Sequence, residues 1–451
     1  MTTVDAVLEP FVLSKERLQE IKKRLLSEME DGLAREGATI RMLPTYVHDL
    51  PDGTEKGKFL ALDLGGSNFR VLLISLDGRS YTQTDEPKFE PLSDDVKATT
   101  QEALFDHIAE CLQKFVDANG ITEKLPLGFT FSFPVLQTGL TKGTLIKWTK
   151  GFRAVGAEKH DIIELLRAAL KRRQGIEVDV VALVNDTTGT MMSNALQDAD
   201  CHVGLILGTG TNACYMERLD AVKKWSEPRK PGVEHIAINT EWGAFGDNGT
   251  LDDVFTEFDN YLDQNVSINK GDQKFEKTIS GMYLGELVRV ICLRLHSLGL
   301  LFKDQADIPK FQTAWEFLSK YLSDIETGDV DESLPATRAI LSDMGVASAS
   351  DDDCRAVRRV CEAVSTRAAH LAAAGVSTIV EKIDKTRKCS VAVDGSLYKK
   401  HPKFAARMDA GLDMLLPAGH GVKMQEATDG SGRGAALVAA VACRLTATAS
   451  A

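Results

Sequence analysis

The sequence predicts an α/β protein with mixed sheets, organised as two similar domains facing each other. Three observations predict it. Runs with strand character alternate with helical segments. Two strand units, around LDLGGSN near position 65 and LGTGTN near position 210, each set a glycine-rich turn between apolar strands. The chain's 451 residues, 43% of them apolar, suffice for more than one buried core. A duplication explains the echo. No short-period repeat is present, which excludes a solenoid.

Taken in order, Ser14 caps a predicted helix to about residue 34, on which Leu18, Ile21, Leu25, Met29 and Leu33 form one apolar stripe. Lys22-Lys23-Arg24 on that helix reads as a solvated face. Residues 59–64 and 69–76 form a hairpin around the first glycine turn. A helix over 99–119, a strand over 127–132, a helix over 160–174 stopped by Gly175, and a strand over 178–184 follow. The second strand–glycine–strand unit spans 204–217. Helices are expected over 282–301, 354–374 and 402–415. A late strand over 389–393 runs into Asp394-Gly395-Ser396, and DGSGRGAALVAAVA is a glycine-rich turn entering an apolar helix. The acidic stretch 323–331 reads as a surface loop.

Charge and cysteines narrow the function. A net charge of -12 argues against a nucleic-acid binder and gives no attraction to anionic membranes. The eight cysteines are scattered, with no Cys-x-x-Cys and no zinc spacing. They read as reduced core residues. The first residues lack the basic and apolar regions of a signal peptide, and no stretch reads as a bilayer span. A cytoplasmic protein without membrane insertion is expected.

Three glycine turns can present backbone N–H groups to an anion: Gly65-Gly66-Ser67, Gly208-Thr209-Gly210 and Gly395-Ser396. Singly, each reads as an ordinary hairpin turn. There is no Walker motif, and the glycines join strand to strand, unlike a dinucleotide fingerprint. Asp63 ends a buried strand and requires a partner. Hydrated Mg2+ carried by a nucleotide suits it, and Arg70 can grip a phosphate; an ion pair between the two is the competing account. Asn185-Asp186 follows an apolar strand at its carboxyl end, where sites in α/β sheets lie. Thr187 or Thr188 then caps the next helix. Asn plus Asp suits a polyol, with the carboxylate able to take a proton; a plain helix cap is the alternative. FTFSFPV, WTKGF and NTEWGAFG mix hydrogen-bonding groups with aromatic or glycine scaffolding, which suits a sugar.

Together these stretches closely resemble the hexokinase and glucokinase family. The resemblance runs in order through LDLGGSNFRV, LGFTFSFP, WTKGF, ND-x-x-GT, LGTGTNACYME, NTEWGAFGD, EK-x-x-SGMYLGE, VSTRAAH, VAVDGSLYKKHP and DGSGRGAAL. It implies the actin-like ATPase (ribonuclease H-like) fold, two α/β domains with mixed sheets around a hinged cleft. The small domain would be 58–186 plus a C-terminal helix at 430–446; the large domain would be 1–57 and 187–429.

The resemblance further implies ATP-dependent phosphorylation of glucose, with fructose and mannose, at O6. Asp186, Lys150 and Arg70 would be catalytic. Ser132, Phe133, Pro134, Thr149, Lys150, Asn185, Asp186, Asn212, Asn239, Glu241 and Glu276 would hold the hexose. Asp63, Gly65, Gly66, Ser67, Asn68, Gly208, Thr209, Gly210, Gly395 and Ser396 would hold the nucleotide, with Ser319 beside them. Mg2+ would arrive with ATP and be met through water near Asp63 and Asp186, without direct protein ligands. Ser67 stands where the family usually has Thr, and Thr188 where Val is common. Met282 leans toward hexokinases rather than glucokinases. A monomer is expected, with a dimer left open. One rival is a kinase with a narrower hexose preference. Another, a non-catalytic sugar sensor, could dispense with Asp186, Lys150 or Gly65-Gly66, all of which are present.

Overall fold

The computed structural model describes the chain except residues 1–2, 66–68, 85–92, 149–151, 174, 176, 230 and 451, and the side chains of 94 and 448–450. Thirteen strands are assigned among the described residues. They are β1 (Leu43–Pro44), β2 (Lys56–Leu64), β3 (Phe69–Asp77), β4 (Ser80–Thr84), β5 (Leu125–Phe131), β6 (Val135–Gly139), β7 (Lys142–Leu145), β8 (Val178–Val184), β9 (Cys201–Leu207), β10 (Thr211–Arg218), β11 (His235–Asn239), β12 (Cys389–Asp394) and β13 (Val422–Glu426).

They form two main sheets of similar plan. The first has the order β4-β3-β2-β5-β8, the second β1-β11-β10-β9-β12-β13, and β6 with β7 is a separate hairpin. In each main sheet an antiparallel meander, β2-β3-β4 or β9-β10-β11, is followed by parallel strands, β5 and β8 or β12 and β13. The repeated glycine turn in the sequence is therefore the first turn of each meander.

Alternation along β2 assigns its faces. Leu60, Leu62 and Leu64 enter one core, while Phe59 and Ala61 enter another. The first core lies under helices Gln101–Ala118 and Ile162–Arg173. The second lies between the two sheets and holds helix Asp186–Ala195 and the C-terminal helix Gly430–Ser450. It is rich in small side chains, among them Ala61, Ala182, Ala195, Ala237, Ala392, Ala435, Ala436 and Ala439. These two helices touch backbone to backbone. A Cβ on Gly434 would lie 2.0 Å from the Gly189 carbonyl oxygen. The third core covers the far face of the second sheet with helices Lys15–Ala34, Gly281–Ser297 and Asp351–Lys382.

Several local expectations change. Lys22 is buried and paired with Glu381 at 3.0 Å, because the 32-residue helix Asp351–Lys382 packs on that face. That helix runs beyond the expected 354–374; residues 371–380 are uncharged and buried on every side, so the sequence offers no stop there. The stretch 323–331 is largely exposed, as expected, but it is loop only in part and carries one buried charge. Helices Ser319–Ile325 and Val330–Asp343 flank a short turn in which Glu326 is fully buried. Ser365 Oγ donates to it at 2.6 Å, and Arg407 pairs with it at 2.6 Å. All eight cysteines are free thiols, seven of them buried. Among the described residues no helix is long and apolar enough to cross a membrane.

The crossing of the two central helices is sterically saturated. Gly434→Ala should destabilise the fold by about 2 kcal/mol or more, read as a lower urea midpoint. An unchanged midpoint would show that the helices do not meet at Gly189 and Gly434.

Candidate active site

The parallel strands of each main sheet bring their carboxyl ends together. In the first sheet these are the ends of β2, β5 and β8, at Leu64, Phe131 and Val184. Ser132 follows β5, and its N–H donates to the Leu64 carbonyl at 3.1 Å. Phe133 packs with Phe131, Trp148 and Phe152 in one aromatic cluster. Trp148 is fixed at both ends: its backbone N–H donates to Glu158 at 2.9 Å, and its indole N–H to the Ala154 carbonyl at 2.9 Å. The expected contacts Thr149 and Lys150 come directly after it and lie outside the described residues, as do Gly66, Ser67 and Asn68.

At the end of β8 the helix cap is Asn185, not Thr187 or Thr188. The Asn185 side-chain oxygen accepts from the Thr187 N–H at 2.9 Å and from its hydroxyl at 2.6 Å. Asn, Thr and Asp are all good caps, so the sequence could not choose among them. Asp186 is consequently the first helical residue. It is half-buried, and one carboxylate oxygen accepts from the Thr187 N–H at 2.9 Å.

The second sheet supplies a polar cluster at the start of β10 and the end of β11. Asn212 Nδ2 donates to Asn239 Oδ1 at 2.8 Å and to Glu241 Oε1 at 3.1 Å. Asn239 Nδ2 donates to the same Glu241 oxygen at 2.7 Å. Glu241 itself has left-handed backbone angles, φ 53° and ψ 45°, and its N–H donates to Asn212 Oδ1 at 3.1 Å. Glu276, from helix Lys274–Ile279, joins through Oε2, which accepts from the Thr211 N–H at 3.0 Å. Asn212, Asn239 and Glu241 thus share one network, and Glu276 is held next to it through the backbone of Thr211. Clustered carboxylates and amides suit a polyhydroxylated ligand.

The remaining glycine turns converge beside this cluster. The Gly208 N–H closes the Gly208–Gly210 turn onto the Gly210 carbonyl at 3.0 Å. Helix Gly281–Ser297 docks on the turn, with the Gly281 N–H donating to the Gly208 carbonyl at 2.8 Å. Ser319 Oγ accepts from the Gly285 N–H in the first turns of that helix at 3.0 Å. Gly395 sits at φ 123°, and a Cβ there would lie 2.3 Å from the Leu207 carbonyl. Ser396 then opens helix Ser396–Lys400. Gly208, Thr209, Gly210, Gly395, Ser396 and Ser319 therefore lie around one place, and Gly65 ends β2 on the opposite sheet.

The Asp63 partner is the ion pair. Asp63 and Arg70 are register partners on β2 and β3, joined at 2.7 Å. Ser431 Oγ donates to the same carboxylate at 2.8 Å, and Asp429 grips the other side of the guanidinium at 2.6 Å. Gln83 Nε2 donates to Asp429 at 2.7 Å. Burial pushes the Asp63 carboxyl above the usual carboxylate range, although Arg70 and Ser431 pull it down. Burial opposes the Arg70 charge, but the two carboxylates more than offset it and keep the guanidinium protonated. Sequence reasoning did not single out Asp429 or Ser431. Their signal was the DGSGRG turn, whose polar residues precede an otherwise apolar helix. Arg70 thus carries a strut from the phosphate-type turn to the C-terminal helix.

Removing that cation strands the buried Asp63 carboxylate and the partly buried Asp429. Arg70→Met should cost about 3 kcal/mol at neutral pH. The cost should shrink as pH falls and Asp63 protonates, because a carboxyl whose folded pKa is raised destabilises only where it is ionised. Urea titrations at several pH values check this; a cost that does not change with pH would contradict the arrangement.

Comparison with known proteins agrees with this architecture. Two hexokinase family models match the chain, one over residues 3–196 and the other over 202–441. Hexokinase-3 of Rattus norvegicus is 49% identical over 449 residues, covering 98% of this chain and 47% of its own length. Hexokinase-1 of the same organism is 48% identical over 452 residues, covering 98% of this chain and 48% of its own. The chain spans about half the length of the curated relatives it matches. A solved hexokinase from Schistosoma mansoni, complexed with glucose, superposes with a TM-score of 0.90 at 42% identity, over 97% of this chain and 98% of that one. This chain belongs to the hexokinase family.

Proposed function

We propose that the protein transfers the γ-phosphoryl group of ATP to O6 of glucose, and of fructose and mannose, giving the hexose 6-phosphate. The observation that carries this reading is the pairing of two half-sites. Asn185 and Asp186 follow β8 of one sheet, while Asn212, Asn239 and Glu241 form a hydrogen-bonded network at the other, with Glu276 held beside them through the Thr211 N–H. The glucose complex of the Schistosoma mansoni relative supports a hexose as ligand.

In this reading Glu241, Glu276, Asn212, Asn239 and Asn185 hold the ring, with Ser132, Phe133, Pro134 and Thr149 closing over it. Asp186 takes the O6 proton as the P–O bond forms, a contribution of roughly 10²–10⁴-fold. Gly65, Gly66, Ser67 and Asn68 cradle phosphates from one sheet; Gly208, Thr209 and Gly210 do so from the other. Gly395, Ser396 and Ser319 flank the adenosine. Lys150 and Arg70 offset charge on the transferred group. Arg70 and Ser431 both engage Asp63 Oδ2, so Asp63 would meet a water of a hydrated Mg2+ carried by ATP through Oδ1. When bound, that ion neutralises phosphate charge.

The cleft lies between a small domain of 58–186 with 430–446 and a large domain of 1–57 with 187–429. Hexose-driven closure of the two would assemble the site around sugar and limit transfer to water. The free thiols suit the reducing cytoplasm.

Because Asn185 caps the helix, Asp186 can be replaced without removing the cap. Asp186→Asn should keep glucose binding by calorimetry and lose roughly 10²–10⁴-fold in kcat for hexose 6-phosphate formation. Turnover equal to wild type would remove Asp186 from the role of base.

A further inference from the structure

Asp247 ends the run Asn239 to Asp247, yet it belongs to neither the hexose network nor the phosphate turns. Its Oδ2 accepts from the Gln273 N–H at 2.9 Å, and its Oδ1 accepts from the Lys274 N–H at 2.8 Å. Both donors stand at the entrance of helix Lys274–Ile279, whose third residue is Glu276. Gln273 is left-handed, at φ 61°, so the chain turns sharply there before the helix begins. A helix of six residues cannot hold itself in place and takes its position from its neighbours. Asp247 holds its entrance. The following turn is held by Lys277, which pairs with Asp263 at 2.5 Å and donates to the Asn269 carbonyl at 2.7 Å. Glu276 lies between these two anchors.

We propose that Asp247 is a positioning residue of the hexose site, fixing Glu276 through the two backbone N–H groups it holds. The inference rests on the reading that Glu276 binds hexose. Glu276 must meet the Thr211 N–H and a sugar hydroxyl with one carboxylate, and a displacement of about 1 Å is enough to spoil such a contact.

Protonation gives this role a signature of its own. Burial pushes the Asp247 carboxyl up to about 6, against the pull of the Lys274 and Gln273 N–H groups. Of the charged groups facing it, Asp272 pushes it further up and Lys277 pulls it down. Lys274, on the same helix, is engaged with Asp252 at 3.5 Å. Because the folded value is raised, Asp247 favours the fold most at low pH, and that contribution is lost as pH rises through about 6. Positioning runs the other way, since the ionised carboxylate is the stronger acceptor for both N–H groups. Glucose affinity should therefore weaken on acidification while the contribution of Asp247 to stability rises. A purely structural cap would not separate the two.

Glucose binding by calorimetry, for wild type and Asp247→Asn from pH about 7.5 to about 5, tests the proposal on either side of an ordinary carboxyl and this raised one. The variant should bind glucose about tenfold more weakly at the upper pH, the effect of weakening a charge-assisted hydrogen bond. Wild type should approach the variant as pH falls through about 6. In turnover, the hexose KM should rise more than kcat falls, and the KM for ATP should stay unchanged. Equal affinity in the variant would overturn the proposal. If the variant does not fold, the wild-type profile decides: affinity independent of pH across that range overturns it equally. Failure of wild type to bind glucose at every pH would overturn the functional reading, and this proposal with it.

Discussion

The structure depends on the backbone contact between helix Asp186–Ala195 and the C-terminal helix Gly430–Ser450, where Gly189 meets Gly434. The two helices fill the space between the sheets, and only residues without a side chain let them approach this closely. Each helix begins at the site. One opens on Asn185 and Asp186; the other on Asp429, Gly430 and Ser431. A shift at the crossing would move the proposed base and the Asp63 support together. The core around the crossing combines alanines on the helices and strands with larger side chains such as Phe59, Leu72, Ile74, Met191 and Leu437.

Charge is buried next to this crossing, and it is arranged for use more than for stability. Asp63, Arg70, Asp429 and Ser431 link three elements distant in sequence. Ion pairs of this kind add little net stability, since removing charges from water offsets their attraction. Their value is specificity: they fix β2, β3 and the start of the C-terminal helix in one register. The Asn212, Asn239 and Glu241 network works similarly, because one carboxylate oxygen collects two amide N–H groups and fixes three side chains relative to one another.

Much of this was legible in the sequence, for local reasons. The apolar runs on either side of Gly65-Gly66 and Gly208-Thr209-Gly210 announced two meanders, and the polar pair after Val184 marked a strand end. Asn212, Asn239, Glu241 and Glu276 were named by family resemblance; the first three are hydrogen-bonded to one another, and Glu276 binds the backbone of the adjoining Thr211. What was not legible depends on partners remote in the chain. Lys22 is buried because Glu381 lies against it, and Glu326 because Ser365 and Arg407 do. Asp429 finds Arg70 only after the C-terminal helix returns to the first sheet. Short or half-exposed strands such as β4, β11 and β13 carry too little alternation to stand out. The end of helix Asp351–Lys382 is hidden in a run that is buried on nearly every side.

The central claim is that two lobes, joined through one helix crossing, close on a hexose. Small-angle X-ray scattering of the wild-type protein, with and without saturating glucose, tests it most directly. The account predicts a smaller radius of gyration with glucose. An unchanged radius, in protein that demonstrably binds the sugar, would contradict it.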